Sequence, residues 1–162
     1  MRIRIFTAGG TFDKEYDPIS QRLVVKPTRV PKLLERGWCK VDFVITPLMS
    51  MDSLDMVDKD RQIISENCKK AVEDRIIVTH GTDTMYKTAA LVASQVKNKT
   101  IIFTGALVPY EFKNSDSSFN LGAALAFVQT LPHGVYIAMN GKCYAWNKVK
   151  KNLETGFFEE MD

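Results

Sequence analysis

The sequence predicts an α/β fold, three layers deep, with helices on both faces of a mainly parallel sheet. Three observations lead there. Short β-favouring apolar runs recur along the chain, each is closed by glycine, proline or small polar residues, and segments with apolar residues at helical spacing fall between them. Alternation of this kind requires right-handed crossovers and a sheet covered on both sides. Its 162 residues, 45% hydrophobic and 25% charged, suit one domain, residues 1–162, able to bury a full core.

The first strand is Ile3 to Phe6, and Thr7-Ala8-Gly9-Gly10-Thr11 is a turn whose glycines let backbone approach a ligand closely. The turn lacks both the Gly-Lys-Ser/Thr of a Walker loop and the G-x-G-x-x-G of dinucleotide binders, so a nucleotide is not indicated. Asp13 to Ser20, with Tyr16 and Pro18, reads either as a mobile loop over a site or as an ordinary surface turn before the short run Arg22–Val25. Pro31 to Arg36 is a short helix with Gly37 as its stop. Val41 to Thr46 is the second core strand, closed by Pro47, with a loop from Leu48 to Met56. Asp58 is expected to cap a helix running to about Val72, with Ile63, Ile64, Cys68, Ala71 and Val72 toward the sheet.

The central unit is Ile76-Ile77-Val78-Thr79-His80-Gly81-Thr82-Asp83-Thr84-Met85: a strand, a tight His-Gly loop and a helix from Met85 to Val96. Thr82 and Asp83 have two readings, as caps of that helix or as ligand groups at its amino end. His80 likewise reads as part of the turn or as a rival base. Thr100 to Thr104 is the next strand, broken by Gly105-Ala106. A polar loop through Pro109, Asn114, Ser115 and Asp116 precedes a helix Phe119–Gln129, and Gly134 to Met139 is the fifth strand. Lys142 to Trp146 adds a short edge strand, and Asn147 to Asp162 is a polar tail whose Phe157-Phe158 suggests docking. The architecture expected is an α/β three-layer sandwich with a mainly parallel, flavodoxin-like sheet.

The formal charge of +3 is scattered, with only a short cluster at Lys148–Lys151, which excludes a nucleic-acid footprint and leaves a small molecule or a protein as partner. Cys39, Cys68 and Cys143 are odd in number and far apart, so neither a disulfide framework nor a zinc site is indicated and reduced thiols of a cytoplasmic protein are expected. No signal peptide or membrane span is read from the sequence.

In a parallel sheet the loops after the strands emerge on one edge. That edge gathers Thr11, Ser53, Thr82, Asp83, Gly105, Ala106 and the segment beyond Asn140, including the lysine cluster. Two hydroxyls across a glycine-lined gap, with a carboxylate and an amine beside them, suit acyl transfer on an amide. A hydroxyl attacks only if its proton is taken, and a lysine oriented by an aspartate can take it. Backbone N–H groups at Thr82 and in the glycine turn would meet the oxyanion.

Gly9-Gly10-Thr11, His80-Gly81-Thr82-Asp83-Thr84-Met85 and Phe119-Asn120-Leu121, in this order, resemble the amino-terminal domain of the bacterial L-asparaginases and glutaminase-asparaginases, over Arg2 to about Lys151. The resemblance implies an amidohydrolase without metal or cofactor, acting on asparagine or a related small amide. It places Thr11 at the nucleophile, Thr82 and Asp83 at the second threonine and its aspartate, Lys151 at the catalytic lysine, with Lys150 as competitor, and Tyr16 near the flexible-loop tyrosine. Ser53, Leu54 and Asp55 fall in the segment that holds the substrate α-carboxylate, beside the backbone of Gly10 and Gly81, and Ala106 falls against the scissile amide. Leu54 stands where many members carry glutamine, Ala8 where glycine or threonine is common, and members are roughly twice as long, with a carboxyl-terminal domain that this sequence lacks. A homodimer or higher oligomer in which one subunit completes the other's pocket is the expected assembly. The alternative from another class is a non-catalytic module that binds a small carboxylate or amino acid.

Overall fold

A computed structural model describes residues 1–161. Six strands form the main sheet: β1 (Ile3–Gly9), β4 (Phe43–Met51), β5 (Arg75–Thr79), β6 (Thr100–Thr104), β7 (Gly134–Met139) and β8 (Lys142–Ala145). Their order is β4-β1-β5-β6-β7-β8, with the first five parallel and β8 antiparallel to β7. Counting only the parallel strands, this is the flavodoxin-like order 2-1-3-4-5, and the chain changes direction across the sheet between β1 and β5. Ligands of such sheets bind at that reversal, outside the carboxyl ends of the strands.

The central strands are nearly all apolar because both faces are covered. Ile3 and Ile5 of β1, Ile77 of β5 and Ile102 of β6 pack with Leu33 and Leu34 of α1 (Val30–Arg36) and with Leu121, Ala124 and Val128 of α4 (Ser117–Thr130). The residues of opposite parity, Phe6, Ile76, Val78, Ile101 and Phe103, pack with Ile64 and Cys68 of α2 (Asp58–Lys70) and with Met85, Ala89 and Val92 of α3 (Met85–Gln95). The period-2 alternation of a strand divides each one between the two helical layers.

Several expected boundaries are corrected. The second core strand does not close at Pro47 but runs through it to Met51, with Thr7 of β1 opposite Pro47. β4 is an edge strand with one neighbour, so a residue lacking its N–H leaves no central hydrogen bond unmade. Gly37 ends α1 with an ordinary φ of −80°, and Trp38, at φ 52°, takes the left-handed turn instead. Asp58 does not cap α2. It is the first helical residue, and the carboxylate of Asp60 accepts the Val57 N–H at 3.0 Å. Ile63 is part exposed and Val72, beyond the helix, is 95% exposed; the buried stripe is Arg61, Ile64, Ser65 and Cys68, the i, i+3, i+4, i+7 set.

Outside the main sheet lie two hairpins. Residues 13–20, read as a loop or surface turn, contribute β2 (Lys14–Asp17), which pairs with β3 (Arg22–Val25). The tail is a second hairpin, β9 (Val149–Lys151) with β10 (Phe158–Glu160). The docking expected of Phe157-Phe158 divides between them: Phe158 is buried in the core beneath α2 and α3, while Phe157 is exposed. Asp162, the last residue of that tail reading, lies outside the described residues. No helix among the described residues is long and apolar enough to cross a membrane.

Candidate active site

Four loops meet at the carboxyl edge, and glycines set how closely. Gly9 and Gly10 have φ of 89° and 81°, and a Cβ on Gly10 would lie 2.4 Å from the Cα and N of Gly81. A Cβ on Gly81 would meet the Ser53 side chain at 2.6 Å, and one on Gly105 would meet the His80 carbonyl at 2.5 Å. The Gly10 N–H donates to the Met51 carbonyl at 2.9 Å, which ties the β1 turn to the end of β4. Side chains at these positions would hold the loops apart.

Thr11 opens a single 3-10 turn, Thr11–Asp13, that is fixed from behind. Phe12 is fully buried in the layer under α1 and α4. The buried Asp13 carboxylate accepts the Arg29 N–H at 2.8 Å and the Thr28 hydroxyl at 3.1 Å. Burial pushes the Asp13 carboxyl up to about 6 against these hydrogen bonds and the Arg29 charge. The half-buried Thr11 side chain makes no hydrogen bond among the described residues and stands beside the Gly10–Gly81 contact.

His80 is structural. Its Nδ1 is 2.8 Å from the Gly81 carbonyl, which can only accept, so Nδ1 carries the proton and Nε2 accepts from the Thr88 hydroxyl at 2.8 Å. Burial lowers the ring to about 4, so it is neutral near pH 7 and braces the loop against α3. Neither Thr82 nor Asp83 caps that helix. The cap position falls to Thr84, whose hydroxyl donates instead to the Ser53 carbonyl at 2.7 Å.

Lys151 reaches this loop from β9. Its ammonium donates to Thr82 Oγ1 at 2.8 Å and to Asp83 Oδ1 at 2.6 Å, with the lysine side chain only 14% exposed. Lys150, the competitor for that role, points outward on the other face of the same strand. Ser53 is buried against Gly81, and its hydroxyl has no hydrogen-bond partner among the described residues. A buried hydroxyl without a partner costs about 1–3 kcal/mol, which a bound ligand at the crevice would relieve.

The other expected residues are placed differently. Leu54 and Asp55 are exposed, and the Asp55 N–H donates back to the Asp52 carbonyl at 3.1 Å. Ala106 is fully buried in the core under α1 and α4. Tyr16 is 59% exposed on the β2–β3 hairpin and hydrogen-bonds to none of the cluster. Two residues that the sequence reading passed over sit at the crevice. Lys14 Nζ and Asp52 Oδ2 are 2.5 Å apart. Partial burial opposes the ionised form of Asp52, but the hydrogen bonds from Lys14 and the Leu54 N–H, with the charges of Lys14 and Lys151, outweigh it and hold the carboxyl below its ordinary value. The available signals were position alone: Asp52 precedes Ser53, and Lys14 follows Thr11 by one turn.

The two buried titrating groups give a test of this packing. His80, lowered from 6.5 to about 4, makes stability rise with pH across that window, because the unfolded chain binds the proton more readily. Asp13, raised from 3.8 to about 6, makes stability fall as pH rises from about 4 to 6, because there the folded chain holds the proton. Asp13→Asn keeps an acceptor for Arg29 and Thr28 and removes only the falling contribution. Urea midpoints from pH 4.5 to 7.5 are expected to rise more steeply in the variant, with a relative gain on the order of 2 kcal/mol. Parallel curves would exclude the buried-acid account.

A family model described as "Asparaginase, N-terminal" matches residues 2–158. L-asparaginase 1 of Escherichia coli (strain K12) is 36% identical over 168 residues, which cover 96% of this chain and 48% of that protein. Among solved structures, L-asparaginase I from Vibrio cholerae superposes with a TM-score of 0.85 at 26% identity, covering 98% of this chain and 51% of that one. A probable cytoplasmic L-asparaginase from Campylobacter jejuni gives 0.82 at 26% identity, over 98% and 52%. The chain spans about half the length of the curated relatives it matches. With the sheet order, the glycine-packed crevice and the family match along one length of sequence, the chain belongs to the asparaginase family, in the region of that family's amino-terminal domain.

Proposed function

We propose that this chain hydrolyses the side-chain amide of asparagine or a related small molecule, with Thr11 as nucleophile. The observation that carries the reading is the Lys151 ammonium held between Thr82 Oγ1 and Asp83 Oδ1 at the sheet's reversal point, beside the turn that bears Thr11. Thr11 Oγ bonds to the amide carbon while its proton is taken up. The C–N bond then breaks and the nitrogen leaves as ammonia with that proton. Water gives a proton to the Thr82–Asp83–Lys151 relay as its oxygen bonds to the ester carbon; the C–O bond to Thr11 then breaks, the relay returns the proton to Thr11 Oγ1, and the acid leaves as the carboxylate. Lys151 is the hydrogen-bonded partner of Thr82 in that relay, and Asp83 holds it in place. Backbone N–H groups of the glycine turn and of Thr82 meet the developing oxyanion, and the Ser53 hydroxyl, beside Gly81, takes the substrate carboxylate.

The working form in this reading is a homodimer or higher homo-oligomer in a cytoplasmic setting, consistent with three free thiols and with exposed Leu54, Phe119 and Phe157. Ammonia release from asparagine, glutamine and a panel of small amides is the test. Thr11→Ala is expected to remove at least about 10³-fold of kcat, with light scattering giving at least a dimer mass for both proteins. Equal release by wild type and Thr11→Ala ends the enzyme reading, and a monomer with full activity ends the assembly reading.

A further inference from the structure

Arg61 is a buried cation that the proposed relay does not use. It takes the first place of the buried stripe of α2, where the helical pattern calls for an apolar residue, and is only 6% exposed. Among the described residues it makes no ion pair, its Nη1 has no hydrogen-bond partner, and its Nη2 donates to Thr84 Oγ1 at 3.2 Å. A guanidinium only donates, so the Thr84 oxygen accepts from it and gives its own hydrogen to the Ser53 carbonyl at 2.7 Å. With both functions spent, the hydroxyl makes no cap for α3, although Thr84 stands at the cap position. One hydroxyl thus joins α2, the start of α3 and the segment after β4. The junction lies directly behind the crevice: Thr84 follows Asp83 in the chain, the charge of Arg61 reaches His80, and Ser53 rests against Gly81 with its own hydroxyl unpartnered among the described residues.

Burying an unpaired charge is costly, and apolar residues of similar volume often replace even a buried ion pair with no loss of stability. The charge at this position therefore does not serve the core. From this we infer that Arg61 is a positioning residue: by fixing the Thr84 hydroxyl it holds the Ser53 backbone against the relay loop, and so aims the Ser53 hydroxyl into the crevice. The two hydrogen bonds run in one sense, cation to hydroxyl to carbonyl, and each polarises the other. Without the guanidinium the Thr84 hydroxyl is free to turn to the N–H groups at the start of α3, as a threonine at a helix cap ordinarily does, and Ser53 loses its tie. The inference rests on the amidohydrolase reading for what the Ser53 hydroxyl meets. It adds a residue that touches no substrate and acts on binding rather than on the chemical step, because Thr82, Asp83 and Lys151 are held by hydrogen bonds of their own.

The test combines steady-state ammonia release, urea denaturation and hydrogen exchange of the free protein. Arg61→Met is expected to raise KM about tenfold, with kcat within about threefold of wild type and a urea midpoint no lower. Arg61→Lys, which keeps a donor-only cation, is expected to recover at least about half of that loss. Thr84→Val is expected to raise KM as Arg61→Met does, and because the effect passes through this hydroxyl the double variant is expected to match Thr84→Val within about threefold instead of losing a further tenfold. An unchanged KM in Arg61→Met, a fall in kcat alone, a midpoint that drops with the activity, no recovery in Arg61→Lys, or additive losses in the double variant overturns the inference. Exchange read by mass spectrometry does not depend on turnover: amides of residues 53–57 and 82–88 are expected to exchange about tenfold faster in Arg61→Met. That acceleration in a protein that releases no ammonia sinks the amidohydrolase reading and leaves the positioning role standing. Ammonia release with KM and exchange both unchanged in Arg61→Met does the reverse.

Discussion

Lys151→Met is expected to lower kcat/KM for amide hydrolysis by at least about 10³-fold while leaving the urea midpoint nearly unchanged. The lysine sits 2.8 Å from one hydroxyl and 2.6 Å from one carboxylate, and methionine keeps its length and packing without a proton to move. Its stem shares a face of β9 with buried Val149, so the apolar part of the side chain remains in place. Lys150→Met is the control, because that side chain lies exposed on the opposite face and takes no part in the cluster. Stopped and steady-state ammonia assays with both variants decide the matter. A Lys151→Met enzyme within tenfold of wild type would remove the lysine from the proposed relay, and an equal loss in Lys150→Met would point to hairpin disruption.

The second large effect is on the glycine turn. Gly10→Ala is expected to cost at least about 3 kcal/mol and to eliminate activity. At φ 81° and ψ −169° the residue occupies backbone space reserved for glycine, and its new Cβ would stand 2.4 Å from the Gly81 backbone, where no rotamer change can relieve it. The relaxation open to the molecule is to move the Thr11 turn away from the Thr82 loop. Gly122→Ala provides the contrast. That glycine is in the middle of α4 with open space where a Cβ would go, so alanine is expected to stabilise by about 0.5–1 kcal/mol. Chemical denaturation of both variants tests the pair, and a Gly10→Ala protein as stable as Gly122→Ala would mean the loops are not packed as described.

What the sequence made legible follows from where burial is symmetric. β6 and β7 were readable to the residue, because a strand covered on both faces is an unbroken apolar run. Pro47 misled because its meaning depends on a neighbour strand, and edge status is decided by the whole sheet. Asp58 misled because a better acceptor, Asp60, lay two residues on, Ile63 because apolar residues on a helix are not all turned inward, and Val72 because the helix ends at Lys70, before it. In the site, the motif residues Thr82 and Asp83 were visible, but whether they capped a helix or met a lysine from another element depended on the tail forming a hairpin. The Lys14–Asp52 pair was hidden for the same reason: it joins two segments brought together only by the β1 and β4 ends.

Lys151 is carried on a strand of three residues whose partner strand is equally short, with Phe158 and Val149 as its buried apolar anchors. Such a hairpin can open while the six-stranded sheet and its helices persist, since small peripheral units come apart at lower free energy than a core. Competence for chemistry and possession of the fold are therefore separable properties of this molecule, and warming would silence the first before it melted the second.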